Sequence, residues 1–339
     1  MAGAAAVNGG RSPVPLVALL LTGCSGIQSS LDPAGMQAGA TFRLFELMIV
    51  MCGVMYGAVL LFLGASVWRV RRQLAAAPAI EPADPGLGKG LWAWGGVIVA
   101  GLVVLATGSF FVERALAAAR AREALQVRVT GHQWWWRIQY RTPDGRWIET
   151  ANELHLPAGR TARIELGAAD VIHSFWVPNV AGKMDVIPGH TNVIDVSPHR
   201  LGWFRGQCAE FCGAQHAHMA FDVKVDSPAA FDAWLAQQGR PAAAPADAIA
   251  ARGMAIVTGG ACGLCHVVRG SAATGRAGPD LTHVGGRRSI GAGTLPMSRG
   301  ALQGWIAQPQ ALKPGTMMPA VPLDGADADA VAHYLETLR

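Results

Sequence analysis

Cys208-Ala-Glu-Phe-Cys212-Gly-Ala-Gln-His216-Ala-His-Met219 decides how the whole chain is read. Two thiols lie four residues apart, an imidazole follows after four more, and a thioether lies three beyond it. Cys, His and Met are the ligand set that soft metals select, and copper takes thiolate, thioether and imidazole alike. Magnesium and calcium seek oxygen and would not choose these side chains. The next residues, Ala220-Phe-Asp-Val-Lys-Val225, alternate apolar with polar as a strand does. The loop therefore leads into a strand of a β-domain. An upstream histidine could complete the ligand set: His173, in Val171-Ile-His-Ser-Phe-Trp-Val-Pro-Asn179.

Working outward, the composition is 51% hydrophobic and only 15% charged over 339 residues, too apolar for a chain with no membrane segment. Residues 47–68 and 91–112 carry no charge, and each run has the length of a bilayer-spanning helix. Trp68, Trp92, Trp94, Phe110 and Phe111 stand at their ends, where an aromatic belt belongs. Arg69, Arg71 and Arg72 place the loop at 69–90 in the cytoplasm and both termini outside, while Arg114, Arg120 and Arg122 pull the other way. An export signal, with the haem motif described below, decides between them. Residues 1–23 combine Arg11, a short apolar core and small residues before a cut. Leu21-Thr-Gly-Cys24 resembles a bacterial lipobox, which makes Cys24 a candidate lipidated residue opening an outer segment at 24–46. The net charge of +5 is spread, with no basic run interleaved with aromatics, and excludes a nucleic-acid partner.

From residue 113 to 226 short alternating stretches are predicted as strands: Val127-Arg-Val-Thr130, Arg137-Ile-Gln-Tyr140, Arg163-Ile-Glu-Leu166, Asn192-Val-Ile-Asp-Val196 and the stretch after Met219. Pro143-Asp-Gly145, Pro157-Ala-Gly159 and Pro188-Gly189 separate them, the pattern of a β-sandwich or barrel. Ser227 caps a helix with Pro228 in its first turn, and a Pro/Ala linker closes the stretch 227–247. The last part, 248–339, holds helical patterns at Ala250–Val257 and Asp327–Leu338. Between them stands Cys262-Gly-Leu-Cys265-His266, the attachment signature of a c-type haem. Cys262 and Cys265 would form the thioethers and His266 would be an axial ligand. A methionine should be the other, and Pro314-Gly-Thr-Met317-Met318-Pro319 offers two. Met318, directly before the proline, is the expected ligand.

The copper loop, the His-Ser-Phe-Trp-Val-Pro run at His173, Lys183-Met-Asp-Val-Ile-Pro-Gly189, Gly131-His-Gln-Trp134-Trp-Trp136 and the two spans together resemble subunit II of a haem–copper cytochrome c oxidase. With a cytochrome c fused behind it, the chain is similar to the caa-type oxidases. The resemblance implies two N-terminal transmembrane helices, an all-β cupredoxin-like domain and a small all-α class I cytochrome c domain. It implies a binuclear CuA centre of two copper ions, with Cys208 and Cys212 bridging. His173, His216 and Met219 and the backbone carbonyl of Glu210 would be the other ligands. The Glu210 side chain would hold a magnesium ion shared with subunit I, and Trp134 would be where electrons enter. Trp136 and the remaining histidines, His155 among them, are expected to be structural.

The implied route runs from a periplasmic donor, cytochrome c or another, to haem c, then CuA, then the haem–copper centres of subunit I, which reduce oxygen to water. Subunits I and III and membrane lipid would be partners, and the bacterial inner membrane the location, with both metal domains on the periplasmic side. A closed ligand set leaves no open position for a substrate, which suits electron transfer. Other readings of the loop are a zinc site, a redox dithiol, a membrane-anchored copper carrier, or the CuA domain of another reductase. A carrier has no use for a covalent haem, and another reductase gives no reason for two spans.

Overall fold

The computed structural model describes residues 25–73, 85–118 and 124–339. The signal, the lipobox with Cys24, and Arg120 and Arg122 lie outside the described residues. The chain divides into two compact units, residues 37–124 and the remainder.

The first unit is a helical hairpin, α1 (Met36–Gln73) and α2 (Pro85–Ala118). Both helices run past their uncharged cores at each end. Their apolar side chains are bare, Leu61 77% and Trp92 86% exposed, as lipid-facing residues of a spanning pair should be. A side chain at Gly101 would meet Met51 of α1 at 2.9 Å, so the helices approach where a small residue allows it.

The second unit starts with a sandwich. One sheet holds β1 (Leu125–His132), β2 (Trp135–Arg141), β3 (Trp147–Ala151), β5 (Ala162–Ala168) and β8 (Asn192–Val196), in the order β3-β2-β1-β5-β8. The other holds β4 (Glu153–Pro157), β6 (His173–Trp176), β7 (Lys183–Val186), β9 (Gly202–Cys208) and β10 (Ala220–Asp226), in the order β4-β10-β9-β6-β7. The pairs β1–β5 and β4–β10 are parallel and the rest antiparallel. Alternate residues of β1 and β2, among them Val127, Val129, Trp136, Ile138 and Tyr140, are buried between the sheets. Trp136 is wholly buried, its ring 5.5 Å from Phe221 and 6.2 Å from Phe175. This is the expected cupredoxin-like layer, and its core continues into the copper loop through Cys208, Cys212 and Met219.

Helix α3 (Pro228–Gln238) starts at Ser227, whose side chain accepts from the Ala230 amide. The haem domain then folds from α4 (Ala248–Gly259), the short α5 (Cys262–Cys265), a small hairpin of β11 (Ser289–Ile290) and β12 (Leu295–Pro296), α6 (Arg299–Ala307), the short α7 (Pro309–Leu312) and α8 (Gly325–Thr337). Helices α4 and α8 cross at Gly253, where a Cβ would lie 2.0 Å from the Ala330 carbonyl oxygen, so only glycine fits. Val257, Leu302, Ile306, Val331 and Leu335 close the core around that crossing.

The two domains of this unit are joined by hydrogen bonds as well as by the chain. Arg137 donates to the Arg276 carbonyl at 2.6 Å, and the Arg288 amide to Glu153 at 2.7 Å. Gln215 donates to the Pro314 carbonyl at 2.8 Å, and Ser289 to Asp222.

Candidate metal centres

Strand β6 supplies His173 and the end of β9 supplies Cys208. The loop to β10 supplies the rest, with His216 on a single 3₁₀ turn. Six donor atoms converge there. Cys208 Sγ lies 3.9 Å from His173 Nδ1 and 3.3 Å from the Glu210 carbonyl oxygen. Cys212 Sγ lies 3.6 Å from His216 Nδ1 and 3.7 Å from Met219 Sδ. The sulfurs are 3.8 Å apart, far beyond the ~2 Å of a disulfide. Each thiol thus has one imidazole and one weak donor beside it, with the two sulfurs shared at the centre. His173 and Met219 are wholly buried, Cys208 2% and Cys212 3% exposed. This soft set suits copper, and six donors about two sulfurs exceed the four that a tetrahedral zinc site takes. The contact with Cys212, with His173 behind it, holds the Cys208 thiol far below the usual range, while Cys208 and burial push Cys212 up.

Two residues that sequence reasoning missed fix His173. Asp170 accepts from its Nε2 at 2.9 Å, leaving Nδ1 turned to Cys208, and is itself held by the Gln133 and Val171 amides. Gly131 gives the ring its room, since a Cβ there would stand 2.7 Å from His173 Cδ2. The signals were an Asp three residues before a ligand and a Gly opening the tryptophan motif, and neither is specific by itself.

Trp134 is 8% exposed. Its indole N–H donates to the Cys212 carbonyl at 2.9 Å, and Gln133 donates to the same oxygen at 2.8 Å. The far side of the ring meets Gly315, where a Cβ would be in ordinary contact at 3.4 Å. Glu210 and Phe211 are exposed at the tip of the loop. The Glu210 side chain therefore points away from the sulfurs while its carbonyl faces them.

In the haem domain a cavity of about 330 Å³ is lined by Cys262, Cys265, His266, Trp305 and Met318, and on the copper side by Trp134. His266 Nδ1 donates to the Pro279 carbonyl at 2.8 Å, which leaves Nε2 as the lone-pair nitrogen. Burial pushes its pKa down, keeping the ring neutral as a ligand must be. Gly278 leaves space for that ring, its Cβ position lying 2.5 Å from Cε1. Met318 packs against the domain core, whereas Met317 is 88% exposed. Arg287 also lines the cavity, and its Nε is shielded from solvent without a protein partner, as a binding site for a haem carboxylate would have it. The lining and this unsatisfied donor fit a haem. Lys313, at the boundary of the two domains, is 2% exposed, and burial pulls its ammonium down to about 7 against the pull of Cys212.

Comparison with known proteins places the chain in a family. Residues 141–226 match the family described as cytochrome c oxidase subunit II, periplasmic domain, and residues 250–339 match cytochrome c. Cytochrome c oxidase subunit 2 of Alkalihalophilus pseudofirmus is 32% identical over 342 residues, covering 96% of this chain and 96% of that one. The protein of the same name from Bacillus subtilis is 28% identical over 344 residues, again covering 96% of each. Among solved structures, the periplasmic domain of subunit II of cytochrome oxidase from Bradyrhizobium japonicum is 29% identical, with a TM-score of 0.33, over 35% of this chain and 97% of that one. The chain belongs to the cytochrome c oxidase subunit II family and carries a cytochrome c domain behind the copper domain.

Proposed function

We propose that this chain takes electrons at its cytochrome c domain and passes them through Trp134 and the copper loop to the haem–copper centres of a partner subunit, where oxygen is reduced to water. The observation that carries this reading is Trp134 itself. One edge is hydrogen-bonded to the Cys212 carbonyl, the other side meets the segment leading to Met318, and the residue lines the haem cavity. Bound in the two sites, copper and haem iron would supply one-electron couples.

The residues assigned to copper are His173, Cys208, Cys212, His216, Met219 and the Glu210 carbonyl, holding two ions. Asp170 fixes the tautomer of His173, and burial of both thiols keeps water and oxidants from them. Cys262 and Cys265 would attach the haem, and His266 and Met318 would hold its iron, the half-buried methionine being preferred to the exposed one. The exposed carboxylate of Glu210 is the contribution of this chain to a magnesium site completed by subunit I. The hairpin anchors the chain in the bacterial inner membrane with both termini and both metal domains on the periplasmic face. Subunits I and III are its neighbours, and a periplasmic protein, cytochrome c or another, is the donor. Cys24 is the point of lipid attachment.

Metal analysis of the purified complex tests the assignment. Two copper ions in the loop and one covalent haem for each copy of this chain are expected. Zinc, or a single copper, in the loop would overturn it.

A further inference from the structure

Lys313 belongs to the haem domain, between α7 and Met318, yet it is as buried as the copper thiols. Its Nζ donates to the carbonyls of Trp134 at 2.7 Å, His218 at 2.7 Å and Gly291 at 3.0 Å. An ammonium has three donors, and all three are used on neutral acceptors. Two of these acceptors lie on the copper domain: the peptide of the tryptophan beside Cys212, and the turn between His216 and Met219. The third is on the β11–β12 loop, where Gly291 abuts the ring of Trp305 in the haem cavity. The next two residues continue the grip, Pro314 accepting from Gln215 and Gly315 meeting the Trp134 ring.

A buried charge with neutral partners is a poor adhesive, because desolvation cancels much of what the contacts return. It is a strong register device: shifting the interface by one residue would strand the ammonium. We propose that Lys313 is a positioning residue, a buried staple that locks the haem domain onto the copper domain in the register that sets the haem cavity against Trp134. The staple rests on the assignment of the two metal sites given above. It makes transfer between them a step within one folded unit, without a docking encounter. The transfer moves one electron from reduced haem to oxidised copper and forms or breaks no bond. Because the contact is shielded from ions, its rate should not respond to salt, unlike docking through surface charge.

The test uses the complete oxidase with Lys313→Met, which keeps most of the volume and removes the donors. The optical spectra and potentials of both centres should be unchanged. Electron equilibration between haem and copper after flash reduction should slow by about tenfold or more and become salt-dependent, which a loss of packing alone would not produce. Amide hydrogen exchange at 215–219 and 313–318 should quicken, a readout independent of electron transfer. Should K313M not assemble, Lys313→Gln, which keeps two N–H donors on a shorter stem, should show a smaller slowing with the same salt dependence. Wild-type rate, salt response and exchange in the variant would overturn the staple. Absence of either centre's spectrum from the wild type would instead overturn the site assignment on which it rests.

Discussion

Gly131→Ala is the sharpest single perturbation of the copper site. Gly131 sits in β1 between two partners, opposite Trp136 on β2 and Ala168 on β5, and its carbonyl accepts from Ala169. Its backbone therefore cannot retreat. An added methyl would lie 2.7 Å from Cδ2 and 3.1 Å from Cγ of His173. Carbon contacts are comfortable at roughly 3.5–4.0 Å, so the ring must withdraw by about 1 Å. It has no free space to take, being wholly buried with Trp136 6.0 Å away. The displacement has to break the Asp170 hydrogen bond or turn Nδ1 from Cys208. Losing an orienting contact of this kind costs about 10–100-fold in metal affinity, or ~1.4–2.7 kcal/mol. Overpacking should take a further ~1–3 kcal/mol from the metal-free fold. Copper titration against a competing chelator, with denaturation of the metal-free and loaded complex, separates the two costs. Gly167→Ala on the neighbouring strand is the control, since nothing lies within 4 Å of its Cβ position. Copper affinity within twofold of wild type for G131A would refute the argument that this glycine holds room for a ligand.

Two further predictions follow from burial. Met318→Leu should lower the haem potential by on the order of tenths of a volt while Met317→Leu leaves it unchanged, and spectroelectrochemical titration that found the reverse would move the ligand to Met317. His155 sits between Asp226 at 2.7 Å and Glu153 at 3.1 Å, stacked 3.9 Å from Trp234. Burial alone would push its pKa down, but the two carboxylates outweigh burial and raise it. A raised value in the fold stabilises the charged form, so its contribution is complete below the unfolded value of ~6.5 and is lost as pH rises through the folded one. The stability gap between wild type and His155→Gln should therefore be widest at about pH 6 and narrow toward alkaline pH. Parallel melting curves across that range would show that the imidazole is not charged.

Residue chemistry announced the donors, but the geometry that holds them was hidden for physical reasons. Strands β1, β2 and β5 alternate because each turns one face to the core and the other outward. Strand β4, Glu153–Pro157, is buried along its whole length, and its two polar residues are satisfied by each other and by Asp226. No alternation survives to mark it. Strand β9 is broken in sequence by Gly206, which exists because the Phe221 ring occupies the place of its side chain, 2.1 Å from a Cβ. Cys208, Cys212, His216 and Met219 could be read because copper selects atoms and a short loop sets their spacing. Asp170, Gly131 and Lys313 could not. An acid, a glycine and a lysine are ordinary residues until the fold brings them against a ring or a carbonyl from another strand.

The copper loop does two jobs with different atoms, and this explains how a dozen residues can serve both a metal and a docking surface. Its four donor side chains turn inward: two sulfurs, one imidazole and one thioether crowd a single point. Of its carbonyls, that of Glu210 joins them, 3.3 Å from Cys208 Sγ, and others turn elsewhere. Cys212 offers its oxygen to Trp134 and Gln133, and His218 offers its oxygen to Lys313. A substitution that removes a donor side chain leaves those carbonyls in place, so metal loss and loss of domain registry should be separable. The converse also holds. Loosening the haem domain should leave the donors converged, because Asp170 and Gly131, which orient His173, belong to the sandwich. The two centres are thus built independently and coupled largely through backbone, with Trp134, Lys313 and Gln215 among the side chains that make the connection.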